Sequence, residues 1–228
     1  MSYSIQRARS ALAAMGLVLL LAACRATGGS SPVPSAAAPS VATPSEASAG
    51  TCPTSQPDVL PTEDARTVTI TTDLGPIVMT LDPSLSPIAV ANFVALAECG
   101  FYDGVVFHRV VPGFVIQGGD GEHGRSPNVN PALVGTGGPG YEIADEPVVT
   151  AYGRGTVAMA RSSQPNSVGS QFFIVLDDAA EPALSDANTY QIIGSVASGM
   201  EVADAIAGAA DQEIPTNPVV MTDVSVAA

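Results

Sequence analysis

Phe107-His108-Arg109-Val110-Val111-Pro112-Gly113-Phe114-Val115-Ile116-Gln117-Gly118-Gly119-Asp120 is the stretch on which the fold turns. It reads as two short β-like runs, Phe107–Val111 and Phe114–Gln117, joined by Pro112-Gly113. One permanently charged guanidinium, one phenyl ring and one amide are set into those runs. Arg109 and Gln117 are costly in such apolar surroundings unless they face a ligand or are fully paired. A second block downstream, Gly169-Ser170-Gln171-Phe172-Phe173-Ile174, again places an amide beside aromatic residues.

Working outward, the neighbouring segments read mostly as strands. Thr67–Thr72 and Ile77–Leu81 are alternating β-branched runs separated by Asp73-Leu74-Gly75-Pro76, a hairpin pattern. Ser86-Pro87 predicts a helix start, with Ser86 as N-cap, and Gly100 predicts its end. Thr156–Ala160, Gln171–Leu176, Tyr190–Val196 and Pro218–Val226 complete the predicted strands, and Met200–Ala207 is a second short helix. Gly121–Gly140, rich in Gly, Pro and Asn, reads as a long surface loop. Many short strands and two isolated helices make a mainly β domain, either barrel or sandwich.

The N-terminus reads differently. Arg7 and Arg9 precede an apolar stretch, Ala11–Ala23, too short to serve as a stable bilayer span. It ends in Leu21-Ala22-Ala23-Cys24, which resembles a bacterial lipobox. That resemblance implies a signal peptide over residues 1–23 and a diacylglyceryl group on Cys24. Two acyl chains suffice for stable anchoring. The sequence from Cys24 to residue 64 is rich in Ser, Ala, Pro, Thr and Gly, and reads as a flexible linker. Residues 65–228 remain as one domain of ordinary size.

The formal charge is −14 and every basic residue is Arg. No basic patch exists to neutralise phosphates, so nucleic acid is an unsuitable partner. Beyond Cys24 the chain keeps only Cys52 and Cys99. In an extracytoplasmic compartment these two thiols are expected to form a disulfide. Two His and two spare Cys show no metal-ligand spacing, so neither metal nor cofactor is expected.

The two quoted blocks, in this order, resemble the hallmarks of cyclophilins, the peptidyl-prolyl cis-trans isomerases. The resemblance runs from about Val68 to Ser225. It implies a closed eight-stranded antiparallel barrel capped by two helices. Arg109 falls on the family's catalytic arginine and Gln117 on its active-site glutamine. Phe114, Val115, Ala160, Gln171 and Phe173 fall on substrate-pocket positions, with Leu184 and Tyr190 completing the pocket. There are departures. Arg161, also on a substrate-pocket position, stands where Asn is usual, and Ala183 where some members carry a cyclosporin-contacting Trp. The loop before Gly135-Thr136-Gly137-Gly138 is extended.

Prolyl rotation needs no nucleophile and no proton shuttle. The amide barrier lies near ~20 kcal/mol because the C–N bond has partial double-bond character. A fixed donor that meets the twisted imide selectively lowers it. Arg109 suits that task, with Phe114, Phe173 and Leu184 forming an apolar cup for the ring. Taken singly, Phe114 and Phe173 read as core, Gln171 as a surface residue, His108 as structural and Arg109 as half of a salt bridge. With only two His, neither near a nucleophile-elbow pattern, Ser-His-Asp hydrolysis finds no support. The expected protein is a monomeric, membrane-anchored isomerase acting on proline-containing segments of exported proteins. The competing reading is a cyclophilin-like module that binds such segments, as a chaperone or scaffold, without turnover.

Overall fold

The computed structural model describes residues 51–227. The first hairpin forms as the alternation predicts. Strand β1 (Arg66–Thr72) pairs with β2 (Gly75–Leu81), Thr72 opposite Gly75. Val68, Ile70, Ile77, Met79 and Leu81 all point to one buried face. Gly75 holds a φ of +127° at the turn, a conformation closed to most side chains.

Helix α1 (Pro87–Glu98) follows, but its cap differs from expectation. Ser86 makes no capping bond, and its buried hydroxyl has no partner. Glu146, from a distant loop, accepts the Ile88 and Ala89 N–H groups at 2.8 and 2.9 Å. A carboxylate matches the positive helix end better than a hydroxyl does. Gly100, at φ +75°, ends the helix. Strands β3 (Phe107–Val111), β4 (Val115–Gly118), β5 (Thr156–Met159) and β6 (Phe172–Val175) come next. A 3-10 turn, Asp178–Ala180, then leads into helix α2 (Glu181–Ala187). Strand β7 (Ile192–Ser198), helix α3 (Met200–Ala209) and strand β8 (Asp223–Ala227) finish the chain.

Two expectations need correction. The eight strands form one antiparallel sheet in the order β3-β4-β6-β5-β7-β2-β1-β8, and this sheet is an open half-barrel rather than a closed one. Its edges, β3 and β8, do not ladder together. The segments beside them meet only briefly: Val106 bridges Val220, and the Met221 N–H donates to Val105 O at 2.8 Å. The reason lies in the hydrogen bonds along β3. Its outward Val110 N–H goes to Glu213 O and its Phe107 N–H to Val219 O, at 2.7 and 2.9 Å. Only as far as Phe107 does this edge meet the segment leading into β8; from Val110 it turns to the loop after α3, so the ladder does not run on along β3.

The second correction is the number of helices, three among the described residues rather than two. Helix α2 lies in a segment for which no element was expected. Its signals are present: Asp177 caps the 3-10 turn, Pro182 sits in the first turn, and Asn188 closes the helix in a left-handed conformation.

Because β-strand side chains alternate, β4, β5 and β6 bury both faces. One face gives Ile116, Phe172 and Ile174 to the main core, where Phe93 stacks on Tyr102 at 4.8 Å and meets Phe172 edge-on at 5.2 Å. The other gives Val115, Ala158, Phe173 and Val175 to a smaller cluster with Leu184 and Ile192. This second face carries the site. At the N-terminal side, Cys52 and Cys99 form the expected disulfide, with Cα atoms 5.1 Å apart. Packing begins there: Gln56 accepts the Ala144 N–H at 2.9 Å, and Leu60 leans on the main core. The signal peptide and Cys24 lie outside the described residues.

Candidate active site

Sheet register assembles the site. Arg109 of β3 lies opposite Gln117 of β4, Gln117 opposite Phe173 of β6, and Phe173 opposite Ala158 of β5. Directly opposed residues share a face and sit about 5 Å apart. A cation, an amide and a phenyl ring therefore form one row across three strands, on the face holding the smaller apolar cluster. Val115, Phe173 and Leu184 are buried in that cluster, with Phe114, Ala160 and Tyr190 half-buried around it. Tyr190 meets Phe173 edge-on, ring centres 5.3 Å apart. Helix α2 brings Leu184 to the cup, while neighbouring Ala183 is exposed.

Arg109 is about one-third exposed, and its Nε donates to Glu213 Oε1 at 2.7 Å. Among the described residues its two terminal nitrogens make no hydrogen bond, so one edge of the guanidinium is tied and the other end is free. Gln117 is placed by a relay of amides. Its Nε2 donates to Gln171 Oε1 at 3.0 Å, and Gln171 Nε2 donates to Gly137 O at 2.8 Å.

Asp120 holds the far end of that relay. Fully buried, it accepts the Glu122 and His123 N–H groups on Oδ1 and those of Gly135 and Gly137 on Oδ2. Burial pushes its carboxyl pKa up, but the four backbone donors together outweigh that and hold it below the usual carboxylate range. Gly137 is required there, since a Cβ would lie 2.4 Å from Asp120 Oδ1.

Not every expected residue is free to meet a substrate. The Ala160 N–H already donates to Gln171 O at 2.8 Å. Arg161 is nine-tenths buried, paired with Asp145 at 3.0 Å and bonded to Gln164 O at 2.6 Å. Its guanidinium braces a loop rather than offering a charge. His108 is buried with both ring nitrogens unpartnered, and burial lowers its pKa despite nearby Asp120. It is neutral at pH 7, which fits its structural reading.

Sequence reasoning missed Glu213, Asp120 and Glu146. An acid directly after Gly118-Gly119 in an apolar run was a usable signal for Asp120. Nothing in the sequence links Glu213 to Arg109, 104 residues away.

The row sets a tethered cation and an amide on the same face as an apolar cluster, an arrangement suited to holding an apolar ring beside a fixed donor. The comparisons agree with such a site. A model of the cyclophilin type peptidyl-prolyl cis-trans isomerase/CLD family matches residues 67–226. A probable peptidyl-prolyl cis-trans isomerase of Brucella suis is 43% identical over 145 residues, 61% of this chain and 70% of that protein. Peptidyl-prolyl cis-trans isomerase A of Dickeya dadantii is 38% identical over 164 residues, 68% and 80% of the two chains. A Cryptosporidium parvum cyclophilin crystallised in the presence of the dipeptide Ala-Pro superposes with a TM-score of 0.60 at 32% identity, covering 71% of this chain and 99% of that one. The chain belongs to the cyclophilin family, and its activity is peptidyl-prolyl cis-trans isomerisation.

Proposed function

We propose that Arg109 lowers the rotation barrier by donating from its free nitrogens to the twisted imide. The cross-strand row of Arg109, Gln117 and Phe173 carries this reading. The proline ring sits in the cup of Phe114, Phe173 and Leu184, which buries it without constraining the preceding peptide bond. As that bond twists, resonance is lost and the nitrogen lone pair localises. A guanidinium already tethered by Glu213 meets the lone pair or the twisted carbonyl without reorganising, so it favours the twisted geometry over the planar one. Gln117 orients the substrate carbonyl, held by its own bond to Gln171.

The substrates we propose are X-Pro bonds in exported polypeptides, whose slow isomerisation limits folding. Leu21-Ala22-Ala23-Cys24 supports a mature protein fixed by lipid to the outer face of a bacterial cell membrane, with the Ser/Ala/Pro-rich linker giving reach. The protein works as a monomer and without nucleic acid.

The mature protein should catalyse isomerisation of an Ala-Pro peptide, followed by exchange NMR. Binding without exchange enhancement would favour the scaffold reading instead. Cys24→Ser should move the protein from the membrane fraction to the soluble fraction. A variant that stayed membrane-bound would overturn the lipid anchor.

A further inference from the structure

Beyond Arg109, on the side away from the cup, lies a groove of about 1260 Å³ that takes no part in the reaction as described. Val106 and His108 line it together with Arg109. The extended loop contributes Val129, Pro131 and Val134, and the loop after α3 contributes Ile214, Pro215 and Pro218, with four uncharged polar side chains, Gln212 and Asn217 among them, interspersed. The only charged groups on its lining are Arg109 and Glu213, and they neutralise each other at 2.7 Å. Ile214 is 45% exposed, an apolar side chain left in solvent beside the site.

The opposite side of the row is chemically different. The pocket at Gln117 carries Glu122, Glu142 and Arg161, with hydroxyls from Thr136, Ser162 and Ser167. Arg109 and Gln117 are cross-strand partners. A polypeptide with its proline in the cup therefore leaves the site in two directions, one mainly apolar and one polar. The prolines of the apolar walls have no N–H to offer, so recognition there comes from side-chain burial rather than added strand pairing. Their fixed φ also limits the ordering cost of binding.

We propose that this groove is an extended subsite for the substrate chain itself, taking apolar residues on one side of the isomerised proline. This rests on the cup and Arg109 being the reaction site, since Arg109 is the residue that joins groove to cup. The extension of the loop before Gly135 thereby acquires a role: it builds one wall of a selector for apolar flanks. Such flanks are exposed in unfolded chains and hidden in folded ones.

The test uses the mature protein and three synthetic peptides with a central Ala-Pro. One carries Leu-Val-Leu before the pair and Ser-Gly-Ser after it, one the reverse, and one Ser-Gly-Ser on both sides. Exchange NMR gives kcat/KM for each. One of the two apolar peptides should exceed the fully hydrophilic one by about tenfold, mainly through KM, as burial of an apolar side chain allows. Ile214→Glu and Val129→Glu should each collapse that ratio towards one. Equal turnover of all three peptides, equal gains from both flanks, or a preference surviving both substitutions in folded protein would overturn the proposal. If both variants fail to fold, the wild-type peptide series decides alone. Absence of turnover on every peptide would instead refute the reaction site itself.

Discussion

Replacing Arg109 by Ala should separate catalysis from stability. The Arg109–Glu213 pair is 35% and 61% exposed, so it belongs with surface ion pairs contributing about 0–1 kcal/mol. In a domain of this size that shifts Tm by about 4 °C at most. The kinetic loss is of another order. Removing a preorganised donor aimed at developing charge costs about 3–4 kcal/mol, or about a hundred- to a thousandfold in rate. Arg109→Lys tests the geometry behind the charge. A single flexible ammonium cannot bond Glu213 through one edge and present a second, fixed edge to the substrate, so it should recover only part of the rate. Exchange NMR on an Ala-Pro peptide gives kcat/KM, and thermal melting gives Tm. An Arg109→Ala variant that melts normally and turns over within about threefold of wild type, against the losses above, would refute the mechanism.

Reducing the Cys52–Cys99 bond opens a loop spanning 47 positions, which the entropic model values at about 4 kcal/mol. Tm should fall by about 8–16 °C with reductant, and a shift below about 2 °C would refute that loop-entropy account. His108, held neutral by burial, stabilises the fold above about pH 6.5, and that contribution is lost as pH falls and the unfolded chain takes up the proton first. His108→Gln should flatten the pH dependence of the urea midpoint between about pH 5 and 7, and an unchanged slope would count against the assignment. Asp120→Asn turns an acceptor towards two backbone donors into a donor, and should cost about 2–4 kcal/mol. Hydrogen exchange at Gly135 and Gly137 should rise with it, and unchanged protection there would show that the loop is held by other contacts.

Much of the strand pattern was legible because β-branched alternation marks half-buried strands directly, as in Thr67–Thr72 and Ile77–Leu81. The helix from Pro87 was legible from its proline start and glycine end. What failed depended on distance in space. Ser86 looked like a cap because the competing carboxylate, Glu146, lies in another loop. Closure of the sheet was expected from family likeness, while the bonds that occupy the β3 edge come from Glu213 and Val219. Helix α2 carries its cap signals in seven residues, too few for a clear apolar period. Within the site, the residues of the two quoted blocks were readable as a set. Their supports were not, apart from Asp120, because a supporting carboxylate has no spacing rule tying it to the side chain it holds. Arg161 shows the converse: its position suggested substrate contact, and its partners consume its charge.

The disulfide also decides how a mechanical load enters the domain. Strand β1 is the first strand among the described residues and pairs with β2 on one side and β8 on the other. A pull on the N-terminus of a chain without the bridge would reach β1 directly and unzip these ladders one residue pair at a time. With Cys52 bonded to Cys99, the covalent path skips residues 53–98 and delivers the force at the end of α1. The hairpin then lies off the line of tension, and a pull between the N-terminus and a captured polypeptide would be borne by the packed helix rather than by the hairpin.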